Sequence, residues 1–102
     1  MDALKLISGS GFLFFNMELA RATSPAAAIV YAALERESDN IKPDELKQLN
    51  GIKYFPVTAE RLEELTTFKR RPQDRAIKEL SDYGIINIVL IGLPAKRHFA
   101  FN

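Results

Sequence analysis

Basic side chains cluster in the last third of the sequence. Residues 69–102 contain seven Lys or Arg against three Asp or Glu, whereas residues 1–68 contain seven against ten. Five of these basic residues lie between Lys69 and Lys78, and two more are adjacent at Lys96 and Arg97. Arginine can grip a guanine edge or a phosphate with two parallel hydrogen bonds, and lysine holds phosphate as a point charge. This clustering is typical of a nucleic-acid contact surface.

The residue types give little indication of catalysis, metal binding or cofactor binding. The sequence has no cysteine and one histidine, so disulfides, thiolate metal sites and histidine-rich metal sites are excluded. No nucleophile lies near a general base, and no glycine-rich phosphate loop is present. We therefore expect no enzymatic activity, no cofactor and no metal. His98 is expected to pack in a strand or to act as a surface donor.

The first half predicts a loose N-terminal segment followed by a buried helix. Residues 1–11 are predicted to be a flexible lead-in, because Gly9, Ser10 and Gly11 form a joint. The aromatic run 12–15 is predicted to be an extended segment that packs in the core. A helix is predicted to start at Ser24 and Pro25, because serine caps free backbone donors and proline suits the first turn. The uncharged residues 26–34 place this helix in the middle of the core, and it is expected to end between residues 36 and 39.

The middle of the chain is more polar. Residues 39–53 are predicted to be a surface segment with a short helix over 43–49, closed by Asn50 and Gly51 at its C-terminus. Residues 54–57 are predicted to form a strand, and Pro56 indicates an edge position.

The pattern of residues 58–101 predicts helix, turn, helix, strand, turn, strand. Thr58 caps the first helix, and Pro72 opens the second, which is expected to run to about Tyr83. Residues 85–91 and 98–101 form the strands of a hairpin. This order is that of a winged helix-turn-helix, an α+β and mainly α fold with a small antiparallel hairpin as its wing. We expect one such domain over residues 12–102, with the helix-turn-helix at about 58–83 and the wing at about 85–101.

The second helix of this motif has two distinct faces. Helical spacing puts an apolar set on the inward face, consisting of Ala76, Ile77, Leu80 and Tyr83. The outward face carries Arg71, Asp74, Arg75 and Lys78. Lys69 and Arg70 lie just before the helix, near its positive end, where phosphates are favoured. Lys96 and Arg97 are expected at the tip of the hairpin, where a wing would touch DNA.

The segments 62–65 and 75–86 resemble the helix-turn-helix of phage and plasmid replication-initiator proteins. The turn and strand at 92–99 and the opening segments 14–19, 24–26 and 30–34 are also similar to that family. The resemblance implies DNA contacts from Arg70, Arg71, Asp74, Arg75 and Lys78 on the recognition helix and from Lys96 and Arg97 on the wing. The sequence departs from the family where Pro72 replaces a common threonine, where Gln73 takes an apolar position, and in a longer turn at 66–67.

These expectations lead to one function with two alternatives. The resemblance implies recognition of double-stranded DNA at a replication origin, by a homodimer or by tandem copies that work with other replication proteins. The alternatives are a stand-alone transcriptional regulator of phage or plasmid origin and a winged-helix module that binds another protein. No segment has the pattern of a signal peptide or of a membrane span, so we expect a cytoplasmic protein. The resemblance implies that it is bacterial and encoded by a phage or plasmid.

Overall fold

The computed structural model of the chain describes residues 11–102, so the predicted lead-in at 1–10 lies outside the described residues. Within these described residues, four helices and four strands follow one another, with one short 3-10 turn at Pro43–Glu45. The helices are α1 (Met17–Ala22), α2 (Pro25–Asn40), α3 (Ala59–Thr66) and α4 (Arg70–Asp82). The strands are β1 (Lys47–Leu49), β2 (Ile52–Pro56), β3 (Ile86–Ile91) and β4 (Lys96–Phe101). Within residues 11–102, no helix is long and apolar enough to cross a bilayer.

Helix α2 forms the centre of the core, as predicted. It begins where Ser24 accepts a hydrogen bond from the backbone N–H of Ala27, and Pro25 occupies its first turn. Its buried residues include Val30 and Leu34, which pack with the inward residues of α3 and α4. The helix ends at Asn40, slightly later than expected.

The segment that precedes α2 differs from the prediction. The aromatic run 12–15 is irregular rather than a strand, and the chain then forms α1, which was not predicted. The prediction that the phenylalanines enter the core is wrong, because Phe12, Phe14 and Phe15 are all exposed and only Leu13 packs against the core. Period-two aromatic residues favour a strand, but this segment pairs with none of the strands of the described sheet.

The predicted helix over 43–49 is also wrong. A single 3-10 turn is followed by β1, which pairs antiparallel with β2 in a two-residue hairpin. Asn50 and Gly51 have φ angles of 52° and 80° and form the hairpin turn, not a helix cap. Asn-Gly suits such a turn because both central residues need a positive φ.

The helix-turn-helix lies where the sequence placed it, with one shifted boundary. Thr58 caps α3 by accepting a hydrogen bond from the N–H of Arg61. The turn is Thr67, Phe68 and Lys69, three residues long. Helix α4 begins at Arg70, two residues before the predicted start at Pro72, because proline is tolerated throughout the first turn, where backbone N–H groups have no helical acceptor.

The sheet has the strand order β1-β2-β4-β3 and is antiparallel throughout. The β3–β4 hairpin is the wing, with Val89 opposite His98 near its centre. Strand β2 lies between β1 and β4, so the prediction that Pro56 puts this strand at an edge of the sheet is wrong. Pairing with β1 extends only to Tyr54, and Pro56 therefore interrupts no hydrogen bond on that side.

Three helices pack against a sheet that ends in the β3–β4 hairpin. This arrangement is the α+β winged helix-turn-helix fold, which confirms the predicted fold class.

The core lies between α2, α3, α4 and one face of the sheet. Its largest fully buried apolar residues are Phe99, Leu34, Leu62, Leu80, Ile86 and Val30. Ala76, Ile77 and Leu80 of α4 point into it as predicted. Tyr83 does not: it is the C-terminal cap residue of α4 and is 60% exposed, since Gly84 turns the chain into β3 at this point.

Candidate nucleic-acid interface

The outward side of α4 is a cationic face, which we define as Arg71, Arg75 and Lys78. Successive helical residues are about 100° apart, so these three side chains lie within about 60° of one another around the helix axis. All three residues are exposed, and the buried residues Gln73, Ala76 and Leu80 lie on the opposite side. Packing of the inward side therefore fixes the direction in which the cationic face points.

The members of the cationic face differ in their partners. Lys78 donates a hydrogen bond to Asp82 at 2.8 Å, and this bond raises the pKa of the Lys78 ammonium. Across residues 11–102, neither Arg71 nor Arg75 has an ion pair or a side-chain hydrogen bond. Their guanidinium groups are thus available to an anion or a base edge without breaking a contact in the protein.

Two further predicted cations lie at the start of α4. Lys69 is the N-cap residue, but its side chain makes no capping bond and instead pairs with Glu63 at 3.1 Å. Arg70 pairs with Asp74 one turn later, also at 3.1 Å. Both pairs are exposed, and such pairs contribute little to stability, so either cation can exchange its carboxylate for a phosphate.

The predicted position of Arg97 at the exposed hairpin tip is wrong. The turn is confined to residues 92–95, and Arg97 is the second residue of β4, with only 7% of its surface exposed. Alternation along β4 puts Arg97 on the same face as Phe99 and Phe101, which is the face that packs on the helices. Lys96, one residue earlier, is exposed beside the turn and keeps its predicted place on the wing.

Arg97 forms a hydrogen-bonded network with the buried Gln73 and the exposed Asp74. Its Nη2 donates to Gln73 Oε1 at 2.8 Å, and its Nη1 donates to Asp74 Oδ1 at 3.0 Å. The guanidinium also lies over the Phe99 ring, 5.9 Å from the centroid. Burial and the nearby Arg70 lower the pKa of Arg97, while Asp74 and Glu60 act in the opposite direction.

Gln73 extends this network to the rest of the helix-turn-helix. Its Nε2 donates to the carbonyl of Ala59 at 2.9 Å and to the carbonyl of Phe68 at 2.8 Å. One buried side chain therefore joins the start of α3, the turn, α4 and, through Arg97, the wing. The sequence departure at Gln73 has a structural reason, since an apolar residue there could not satisfy these three groups.

Sequence reasoning placed Asp74 and Arg97 among the DNA contacts and overlooked their role in holding the wing against α4. Two signals could have revealed it: Gln73 interrupts the apolar side of α4, and Arg97 alternates with two phenylalanines in a strand. A polar residue on each of two facing apolar surfaces indicates a buried hydrogen-bonded pair.

Acidic residues border the interface on α3. Glu60, Glu63 and Glu64 line one shallow concavity on this helix. Glu63 forms an ion pair with Lys69, and Glu64 accepts a hydrogen bond from Arg61 at 3.1 Å. Within residues 11–102, His, Asp and Glu form no group that could hold a metal ion.

No protein-family model matches this chain, and no curated protein matches it significantly. A solved structure described as the N-terminal domain of a DNA-binding protein does match. It superposes with a TM-score of 0.60 at 17% sequence identity, and the alignment covers 100% of this chain and 81% of that chain. At this level of identity the match supports the fold and assigns no role to individual residues.

Proposed function

We propose that this chain is a double-stranded DNA-binding domain that inserts α4 into the major groove. The observation that carries the proposal is the cationic face, in which Arg71 and Arg75 project from the side of α4 opposite the core and have no partner in residues 11–102. The second helix of a helix-turn-helix enters the major groove with this side foremost. The matching solved structure, described as a domain of a DNA-binding protein, supports the same function.

The partners of each cation suggest its role. Arg71 and Arg75 are free to neutralise phosphates and, with two parallel hydrogen bonds, to contact base edges. Lys78, Lys69 and Arg70 exchange weak surface ion pairs for phosphates, and exposed Lys96 contacts the backbone from the wing. In this proposal Asp74 and Arg97 do not touch DNA but hold α4 and the wing in their relative orientation.

The binding test is fluorescence anisotropy with a labelled duplex pool, titrated at several salt concentrations. Six phosphate-accessible cations predict a log–log slope of affinity against salt of about −5. Arg75→Ala should weaken binding and make the slope shallower by about 1. Lys42→Ala is the matched control, because Lys42 is an exposed cation outside the helix-turn-helix and the wing, and it should change neither quantity. Absence of binding even at low salt would refute the proposal.

The finer proposal, which rests on the resemblance of 62–65 and 75–86 to replication initiators, is that the bound site is an origin of phage or plasmid replication. Selection of tight binders from random duplexes would give the site. A plasmid that carries this site should then replicate only with the active protein. Repression of a reporter with no effect on copying would instead favour the transcriptional regulator.

A protein-binding module is the second candidate, and the acidic side of α3 is the observation that favours it. Glu60, Glu63 and Glu64 would repel phosphates close to the N-terminus of α4. If this candidate is correct, the anisotropy titration shows no duplex binding, and Glu64→Lys abolishes capture of a basic partner protein. If the DNA proposal is correct, Glu64→Lys keeps or increases duplex affinity.

A further inference from the structure

In the part of the chain that the structure describes, strand β3 is an edge of the sheet that has neither a charged residue nor a proline. In the sheet formed by residues 11–102, β3 pairs with β4 on one side and with no strand on the other. Its six residues, Ile-Asn-Ile-Val-Leu-Ile, include no charge and no proline. Proteins commonly protect exposed edges with lysine, proline, bulges or very short strands. The opposite edge follows that rule, because β1 has three residues and carries Lys47.

The backbone groups that face the free edge can be identified. The carbonyl of Ile85 accepts a hydrogen bond from the N–H of Asn102, so Ile85 points its backbone groups toward β4. Successive residues alternate in direction along an antiparallel strand. Ile86, Ile88 and Leu90 therefore direct their N–H and C=O groups to the free edge, as a template for another extended strand.

The same edge exposes an apolar side chain. Leu90 lies opposite Arg97 in the ladder and shares the core face of the sheet with Ile86 and Ile88. Ile86 is buried, whereas Leu90 is 69% exposed. An occupant of this edge must therefore supply both a backbone ladder and apolar contact for Leu90.

We propose that the occupant is β3 of a second copy of this chain, paired antiparallel about a two-fold axis through Val89. A two-fold axis that relates antiparallel edge strands is perpendicular to the sheet, so the core faces of both copies lie on the same side. Pairing then puts Leu90 of each copy opposite Ile88 of the other, with their outward backbone groups hydrogen-bonded. The edge meets itself without repulsion, since neither strand carries a charge.

This dimer leaves the cationic face of α4 exposed, because none of its residues lies on β3. The dimer and DNA binding are therefore separate properties, and either can fail without the other. Together they would present two recognition helices related by a two-fold axis to a site of matching symmetry.

Sedimentation equilibrium without DNA, from low to high micromolar protein, tests the dimer. The wild-type chain should rise from the monomer mass to twice that mass. Leu90→Pro should remain monomeric, because the N–H it removes points to the free edge and the β3–β4 ladder is untouched. Leu90→Lys, which keeps that N–H, should also prevent dimerisation. Leu93→Lys is the control and should dimerise like the wild type, since Leu93 is fully exposed in the wing turn outside the strand.

Amide hydrogen exchange provides the second readout and does not depend on any variant. Exchange at Ile88 and Leu90 should slow as the protein concentration rises, while exchange at Asn87 and Val89, already bonded to β4, should not change. A wild-type chain that remains monomeric at high micromolar concentration would overturn the proposal. A concentration-dependent dimer in which Leu90→Pro and Leu90→Lys associate normally would overturn it as well.

Discussion

The guanidinium of Arg97 contacts Gln73, Asp74 and the face of Phe99 from a position within β4. A buried cation with these partners is part of the scaffold, because its removal leaves polar groups without a donor. Arg71 is the opposite case, exposed and without an ion pair in residues 11–102. The same residue type therefore has two physical roles within one winged helix, and burial distinguishes them.

This distinction predicts opposite effects for two matched substitutions. Arg97→Met should lower the free energy of unfolding by about 1–3 kcal/mol, because Gln73 Oε1 loses its donor in a buried site. The salt dependence of duplex binding should keep its slope. Arg71→Met should leave the free energy of unfolding within about 0.5 kcal/mol of the wild type and make the salt slope shallower by about 1. Urea denaturation and anisotropy titrations measure the two quantities, and a shallower slope for Arg97→Met would mean that Arg97 contacts DNA directly.

At the scale of elements, caps were the most informative sequence signals. Ser24 with Pro25 and Thr58 predicted two helix starts correctly, because side-chain capping is local and depends on few residues. The β1–β2 hairpin was missed, since Asn50-Gly51 can end a helix or turn a hairpin, and the choice depends on whether β2 is paired. The buried position of Arg97 could not be read from its own neighbours, because it depends on Gln73, which lies 24 residues earlier.

The turn between α3 and α4 contains a residue that is poorly suited to its backbone. Thr67 caps α3 with φ of 69°, in the left-handed region that β-branched residues avoid. Asparagine tolerates this region, so Thr67→Asn should raise the free energy of unfolding by about 1 kcal/mol. The hydrogen bond from the residue 67 N–H to the carbonyl of Glu63 would be kept, since it is a backbone contact.

Thr67→Val is the control for this substitution. Valine keeps the β-branch and loses only a hydroxyl that makes no hydrogen bond in the described part of the chain, so stability should not rise. Thermal or urea denaturation of the wild type, Thr67→Asn and Thr67→Val measures the difference in stability. Equal stability of the asparagine variant and the wild type would show that the turn relaxes the strain in another way.

At the scale of the whole molecule, the distribution of charge matters more than its sum. The net charge is +1, but residues 69–102 carry four more basic than acidic residues, and residues 1–68 carry three more acidic than basic residues. The fold places the acidic residues of α3 directly beside the cationic start of α4, as the contact between Glu63 and Lys69 shows. The protein thereby reduces its own attraction for phosphate at the edge of the proposed DNA surface.

This arrangement predicts that removing an acidic residue strengthens DNA binding. Glu63→Gln should raise the affinity for duplex at each salt concentration, because Lys69 then neutralises a phosphate without first giving up its ion pair with Glu63. Glu18→Gln is the control: it removes the same charge from an exposed ion pair with Arg21 on α1, outside the helix-turn-helix, and should leave the affinity unchanged. Anisotropy titrations over a range of salt concentrations distinguish local release from a general gain in net charge. An equal gain for both variants would show that net charge governs binding, and a loss for Glu63→Gln would place the DNA on a different face of the domain.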